Sequence, residues 1–136
     1  MRAVLDPNVI VSAVLSRSGT PAMLLGAWLD GAYQLVVSPA LLDELERVFG
    51  YPKIAKRVSP PEARKLLDVL RLHAEFVDDP RGTPAVRSPD PDDDYLICLA
   101  EAGTAVIVSG DTELQSLADQ IPVCTPAAFL ALLAAN

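Results

Sequence analysis

Thr104–Asp111 reads TAVIVSGD and Arg2–Asp6 reads RAVLD. Each is a short, unbroken apolar run that stops on an aspartate. An unbroken run of this length, without polar alternation, is what a strand looks like when both faces of its sheet are covered. The stretch before TAVIVSGD, from Pro91 to about Ala102, is apolar around nearly its whole circumference and reads as a buried helix. Helix, buried strand, acid is therefore the unit to look for along the rest of the chain.

Strand and helix patterns alternate along the rest of the chain. Arg2–Asp6 is the first strand and Asn8–Leu15 a helix. Thr20–Leu29 is a second helix, with Thr20 read as its N-cap and Pro21 at the first helical position. Tyr33–Val37 (YQLVV) is a strand, and Ser38-Pro39 opens a helix to about Phe49. Ser59, followed by two prolines, starts a helix to about His73, and Glu75–Val77 is a brief strand. Pro80–Pro89 is a loop marked by Gly82, Pro84 and Ser88. After the TAVIVSG strand come a short helix, Thr112–Ala118, a strand, Ile121–Cys124, and a last helix capped at Thr125-Pro126 and ending at Ala135. Strands separated by helices require crossovers, so the predicted fold class is α/β: a parallel sheet inside a three-layer α/β/α sandwich. In such sheets, sites form beyond the carboxyl ends of the strands.

Composition sets the bounds. The 136 residues fit one domain, taken as 1–136, and 51% are hydrophobic with 5% aromatic, so aliphatic side chains must fill the core. Cys98 and Cys124 sit in apolar runs without zinc spacing and read as small buried hydrophobes. No run is long enough to span a bilayer, and MRAVLD reads as a strand, so a cytoplasmic protein without membrane attachment is expected. The net charge of −7 counts against a general nucleic-acid binder. Two divalent ions carry four positive charges and would leave −3.

The acids carry the chemistry. Asp6 and Asp111 each follow a strand, and in a parallel sheet both fall at the carboxyl edge. Asp94 lies in the first turn of the helix before the second of those strands. On the Pro39–Phe49 helix, Leu41, Leu42, Leu45, Val48 and Phe49 form one apolar stripe, flanked by Glu44 and Glu46, while Asp43 and Arg47 point further out. The pattern does not choose between the two glutamates. Carboxylates about 4 Å apart repel by roughly 4 kcal/mol per pair at an effective dielectric near 20. Such a cluster takes up protons or binds cations, and an all-oxygen site suits Mg²⁺. Each acid also has a plainer role: Asp6 and Asp111 as N-caps, and Asp90-Pro91-Asp92-Asp93-Asp94 as a cap, a helix-starting proline and charges on the helix dipole.

Taken together, VLDPNVIVSAVLSRSGTPA, LVVSPALLDELERVF, SPDPDDDYLICLA, VIVSGDTEL and TPAAFLALL resemble the PIN-domain family over nearly the whole chain, and in particular its toxin–antitoxin branch of VapC-like ribonucleases. The resemblance implies a five-stranded parallel sheet of order 3-2-1-4-5. It also implies an acidic set of Asp6, Glu44, Asp94 and Asp111, which selects Glu44 over Glu46. Asp6, Asp94 and Asp111 would hold Mg²⁺ or Mn²⁺, with Glu44 assisting or binding a second ion. Asn8 and Ser12 match small polar positions of the family; Asn8 would orient Asp6 or a bound water, and packing between helices is the other reading of Ser12. Two departures stand out. Pro7 replaces the threonine of a common Asp-Thr-Asn motif, and Glu113 stands where many members have a second aspartate. Asp92 and Asp93 read as helix-start charges, with extra ligation the alternative.

The implied activity is metal-dependent endoribonuclease cleavage of RNA. The implied partners are an RNA substrate, an inhibiting antitoxin protein that reaches into the acidic site, and a second copy of the chain in a homodimer or higher homo-oligomer. Lys53, Lys56, Arg57, Arg64 and Lys65 are the candidate backbone-tracking cations, a solvated helical face being the alternative. His73, the only histidine, has no catalytic neighbour in the pattern and reads as helix surface. Two further readings remain. A Mg²⁺-dependent phosphatase or phospho-receiver domain also puts acids at strand ends, but uses a lysine on a late strand, and the last lysine here is Lys65. A catalytically inactive PIN interaction module would lack a complete acidic set.

Overall fold

A computed structural model describes residues 1–135. The strands are β1 (Arg2–Leu5), β2 (Gln34–Val37), β3 (Glu75–Phe76), β4 (Val106–Val108) and β5 (Val123–Cys124). They form one parallel sheet in the order β3-β2-β1-β4-β5, the order that the resemblance implies. The helices are α1 (Pro7–Leu15), α2 (Thr20–Leu29), α3 (Pro39–Phe49), α4 (Pro52–Ala55), α5 (Pro60–His73), α6 (Asp94–Gly103), α7 (Thr112–Gln115) and α8 (Pro126–Ala135). Strand order runs outward from β1 to β3, then returns to β4 on the other side of β1. Right-handed crossovers therefore put the helices linking β1, β2 and β3 on one face, and α6, which carries the chain back, on the other.

Burial follows from this layering. Ala3, Val4, Leu5, Leu35, Val36, Val37, Ile107 and Val108 are essentially inaccessible, as the unbroken apolar runs require. The α3 stripe of Leu41, Leu42, Leu45, Val48 and Phe49 is buried. So are Leu96, Ile97, Cys98, Leu99, Ala100 and Gly103 of α6, which lies across β1, β2 and β4. At Gly103 that helix approaches the sheet so closely that an added Cβ would lie 3.1 Å from Val36 Cγ1. On the opposite face, α8 is anchored by Phe129, whose ring meets Tyr33 edge-on at 5.0 Å.

Several local expectations need correction. Gly19, not Thr20, is the N-cap of α2, and Thr20 and Pro21 form its first turn. A short helix, α4, occupies 52–55, where Pro52 opens a turn that the apolar pattern does not announce. The α7 helix ends at Gln115, not Ala118. Pro91–Asp93 is a single 3-10 turn and the α-helix begins only at Asp94. Cys98 is buried but Cys124 is only half-buried; both are free thiols. Among the described residues, no single helix is long and apolar enough to cross a membrane.

Candidate acidic site

The carboxyl edge of the sheet is where the site must be sought. Asp6 leaves β1 and turns into α1; its amide donates to the Val108 carbonyl of β4 at 2.9 Å, which ties the two strand ends together. Asp6 is 6% exposed. Its Oδ1 accepts the Asn8 amide at 3.0 Å, capping α1, and its Oδ2 accepts the Ser109 hydroxyl at 2.7 Å. Ser109 is fully buried, and the same Oγ accepts the Asp111 amide at 3.0 Å. One hydroxyl thus fixes both strand-end acids. Asp111 in turn caps α7 through Glu113 N at 2.9 Å. The plain capping roles and the acidic cluster therefore coexist in the same side chains.

The third acid of the cluster is not the expected one. Asp94 turns away from Asp6: Oδ2 accepts Arg87 Nε at 2.7 Å and Oδ1 accepts the Ser88 amide at 2.7 Å. Burial pushes its carboxyl up, but the Ser88 amide and the Arg87 guanidinium outweigh burial and hold it below the usual value. Asp93, one residue earlier and at the end of the 3-10 turn, faces Asp6 and Asp111. Its carboxyl is pushed up to about 7, first by burial and then by the charges of Asp6, Asp90 and Asp111; a hydrogen bond to Asp111 also favours the protonated form. Asp6 is raised as well, mainly by burial, against the Asn8 amide and Ser109 hydroxyl, with Asp111 and Glu44 adding to the rise. The physical reason for the exchange is the 3-10 start: residues 93 and 94 diverge there, and the 78–90 loop supplies Arg87 as a partner for one of them.

Two clefts meet at Asp6. One, of about 460 Å³, is lined by Asn8, Ser12, Pro21, Gly110, Asp111 and Pro126. The other, of about 210 Å³, is lined by Asn8, Glu44, Arg47, Asp90, Asp92, Asp93 and Tyr95. Glu44 is therefore in the cleft while Glu46 is exposed outside it. Arg47, read from periodicity as pointing outward, is in the cleft too, forked onto Glu44 with Nη2 at 2.6 and 2.7 Å. Burial and the carboxylates of Asp6, Glu44, Asp93 and Asp79 hold the Tyr95 hydroxyl far above its ordinary range, so it stays a donor. Ser12 and Asp92 line the clefts from exposed positions, whereas Glu113 lines neither and its amide caps Asp111. Lys53, Lys56, Arg57, Arg64 and Lys65 are exposed and lie outside both clefts; Arg57 reaches the Leu15 carbonyl at 3.2 Å. An apolar groove of about 390 Å³ between α6 and the starts of β4 and β5 lies at the opposite edge of the sheet, away from these acids.

Among the described residues, no three His, Cys, Asp or Glu side chains already surround one point as ligands. The donor set nevertheless fits a hard divalent cation in kind. It offers carboxylate oxygens from Asp6, Asp93 and Asp111, and their crowding is relieved by a proton or a cation. Ser109 and Arg47 are the site residues that the sequence does not single out, and Asp93 appears there only as an alternative ligand. Ser109 has a signal, its place between a buried strand and Asp111; Asp93 has none that separates it from Asp94.

Comparison with known proteins agrees with the fold. The sequence profile of the PIN domain matches residues 2–113. An uncharacterized protein of Methanocaldococcus jannaschii is 26% identical over 121 residues, covering 88% of this chain and 77% of that protein. Among solved structures, VapBC2 from Rickettsia felis, crystallised with a DNA fragment from its promoter, superposes with a TM-score of 0.62 at 16% identity, covering 92% of this chain and 98% of that one. FitAcB from Neisseria gonorrhoeae superposes with a TM-score of 0.56 at 18% identity, covering 91% and 97%. With a family match over most of its length and the five-stranded order of that fold, this chain belongs to the PIN domain family.

Proposed function

We propose that this PIN domain is a divalent-metal-dependent endoribonuclease and the toxin of a toxin–antitoxin pair. The observation that carries the reading is the meeting of Asp6, Asp93 and Asp111 at the carboxyl edge of the sheet, from the ends of β1 and β4 and the start of α6. PIN domains are generally nucleases that use divalent ions, which agrees with this acidic set. The VapBC2 and FitAcB likenesses support the toxin assignment and an antitoxin partner, and a homodimer is the assembly we expect.

Asp6, Asp93 and Asp111 would hold Mg²⁺ or Mn²⁺, with Glu44 at the rim. Bound there, the metal would supply an activated water and offset charge on the phosphate during in-line displacement, leaving 5′-phosphate and 3′-hydroxyl ends. Ser109 orients Asp6 and the Asp111 backbone together, so the two strand-end carboxylates present fixed lone pairs. Asp94 is a positioning residue in this reading: it pins the 78–90 loop through Arg87 and Ser88 and so sets the direction of Asp93.

The test is cleavage of a panel of structured and single-stranded RNAs by wild type, Asp6→Asn and Asp93→Asn, each with Mg²⁺, Mn²⁺ or excess EDTA. Metal-dependent cleavage that is lost in both variants is the expected result. Wild type that neither cleaves nor binds any RNA of the panel in the presence of Mn²⁺ would overturn it.

A further inference from the structure

Among the described residues, the cleft shared by Asp6, Glu44, Asp90, Asp92 and Asp93 contains a single cationic side chain, Arg47. A phosphodiester entering it meets carboxylates on nearly every side. Divalent ions offset those on the floor, but the rim needs a donor of its own. Arg47 is placed to be that donor. It lies one helical turn from Glu44 on α3, on the flank left over when Leu41, Leu42, Leu45, Val48 and Phe49 are turned into the core. Residues three apart on a helix are neighbours, which explains the pair.

The guanidinium is committed only in part. Nε and Nη2 reach Glu44 at 3.1 Å and at 2.6 and 2.7 Å, while Nη1 has no hydrogen bond among the described residues. The Arg47 side chain is 64% exposed against 30% for Glu44, so the cation stands at the mouth and the carboxylate behind it. A planar fork that fits a carboxylate fits a phosphate equally well. The same cleft offers two neutral donors as well, the Tyr95 hydroxyl and the Asn8 side-chain amide.

We propose that Arg47 is the substrate-phosphate-binding residue of this site. It rests on Glu44 when the cleft is empty and takes a backbone phosphate of the substrate when RNA is bound. The proposal rests on the ribonuclease reading above and assigns it the residue that grips the strand.

The experiment compares wild type, Arg47→Ala and Arg47→Lys in two assays. The first is anisotropy of a fluorescent single-stranded RNA with Ca²⁺ in place of Mg²⁺, run across a salt series. The second is a Mn²⁺ titration followed by electron paramagnetic resonance without RNA. Arg47→Ala should bind RNA about tenfold more weakly. Its salt slope should be shallower by about 0.7, the value for one fewer phosphate neutralised on a single strand. Arg47→Lys should keep the slope and recover part of the affinity. Mn²⁺ affinity should be unchanged or tighter in Arg47→Ala, because Glu44 is freed of a competing cation. Arg47→Ala binding RNA with wild-type affinity and slope overturns the proposal while leaving the nuclease reading intact; so does a loss of Mn²⁺ binding in that variant, which would make Arg47 a support for the acids. Wild type that binds Mn²⁺ but no RNA overturns both.

Discussion

Asp93→Asn should stabilise the metal-free protein at alkaline pH. In the folded chain the Asp93 carboxyl is pushed from 3.8 up to about 7, chiefly by burial and then by Asp6, Asp90 and Asp111. A carboxyl raised by folding favours the fold in its protonated form. Its contribution is complete below 3.8, and it is lost as pH rises towards about 7. A displacement of this size is worth about 4 kcal/mol at the ceiling. Asp93 is only partly buried and water screens its neighbours, so about 2 kcal/mol is the working figure. For a chain of this size that is a melting-point difference of about 6–10 °C. Asparagine keeps the shape without the charge. Thermal unfolding in EDTA should therefore show Asp93→Asn melting above wild type at pH 8, with the gap closing as pH falls towards 3.8. Mg²⁺ at pH 8 should raise wild type more than the variant. An Asp93→Asn protein no more stable than wild type at pH 8 would refute the claim that these carboxylates crowd one another.

Three further outcomes follow from the same geometry. Asp94→Asn and Arg87→Ala should each lower unfolding free energy in urea by about 1–3 kcal/mol, because each breaks a partly buried charged pair, and limited proteolysis should cut the 78–90 loop faster. Ser109→Ala removes a donor to Asp6 and an acceptor for the Asp111 amide. It should lower Mn²⁺ affinity by about 10–100-fold in calorimetry, as losing a partner that orients a ligand does elsewhere. Phe129→Ala should destabilise by about 3–5 kcal/mol in urea unfolding, since the ring is fully buried against Tyr33.

Sequence patterning alone determined the layers. Apolar runs such as AVIV and QLVV have only one comfortable place, a strand covered on both faces, and helices between them force a parallel sheet with its acids at one edge. It could not rank the acids within a short run. Asp92, Asp93 and Asp94 have the same chemistry, and one step of backbone turns a carboxylate from the cleft to the loop. The tertiary structure decided between them through Arg87, a residue in an irregular segment with no periodicity to announce where it would fall. Arg47 is a related case. Periodicity tells which helix face is buried, but the exposed faces differ only in what stands opposite them, and for α3 that is a cleft built by β1, the 3-10 turn and α6. Local pattern specifies which side chains leave the core; long-range packing specifies what they meet.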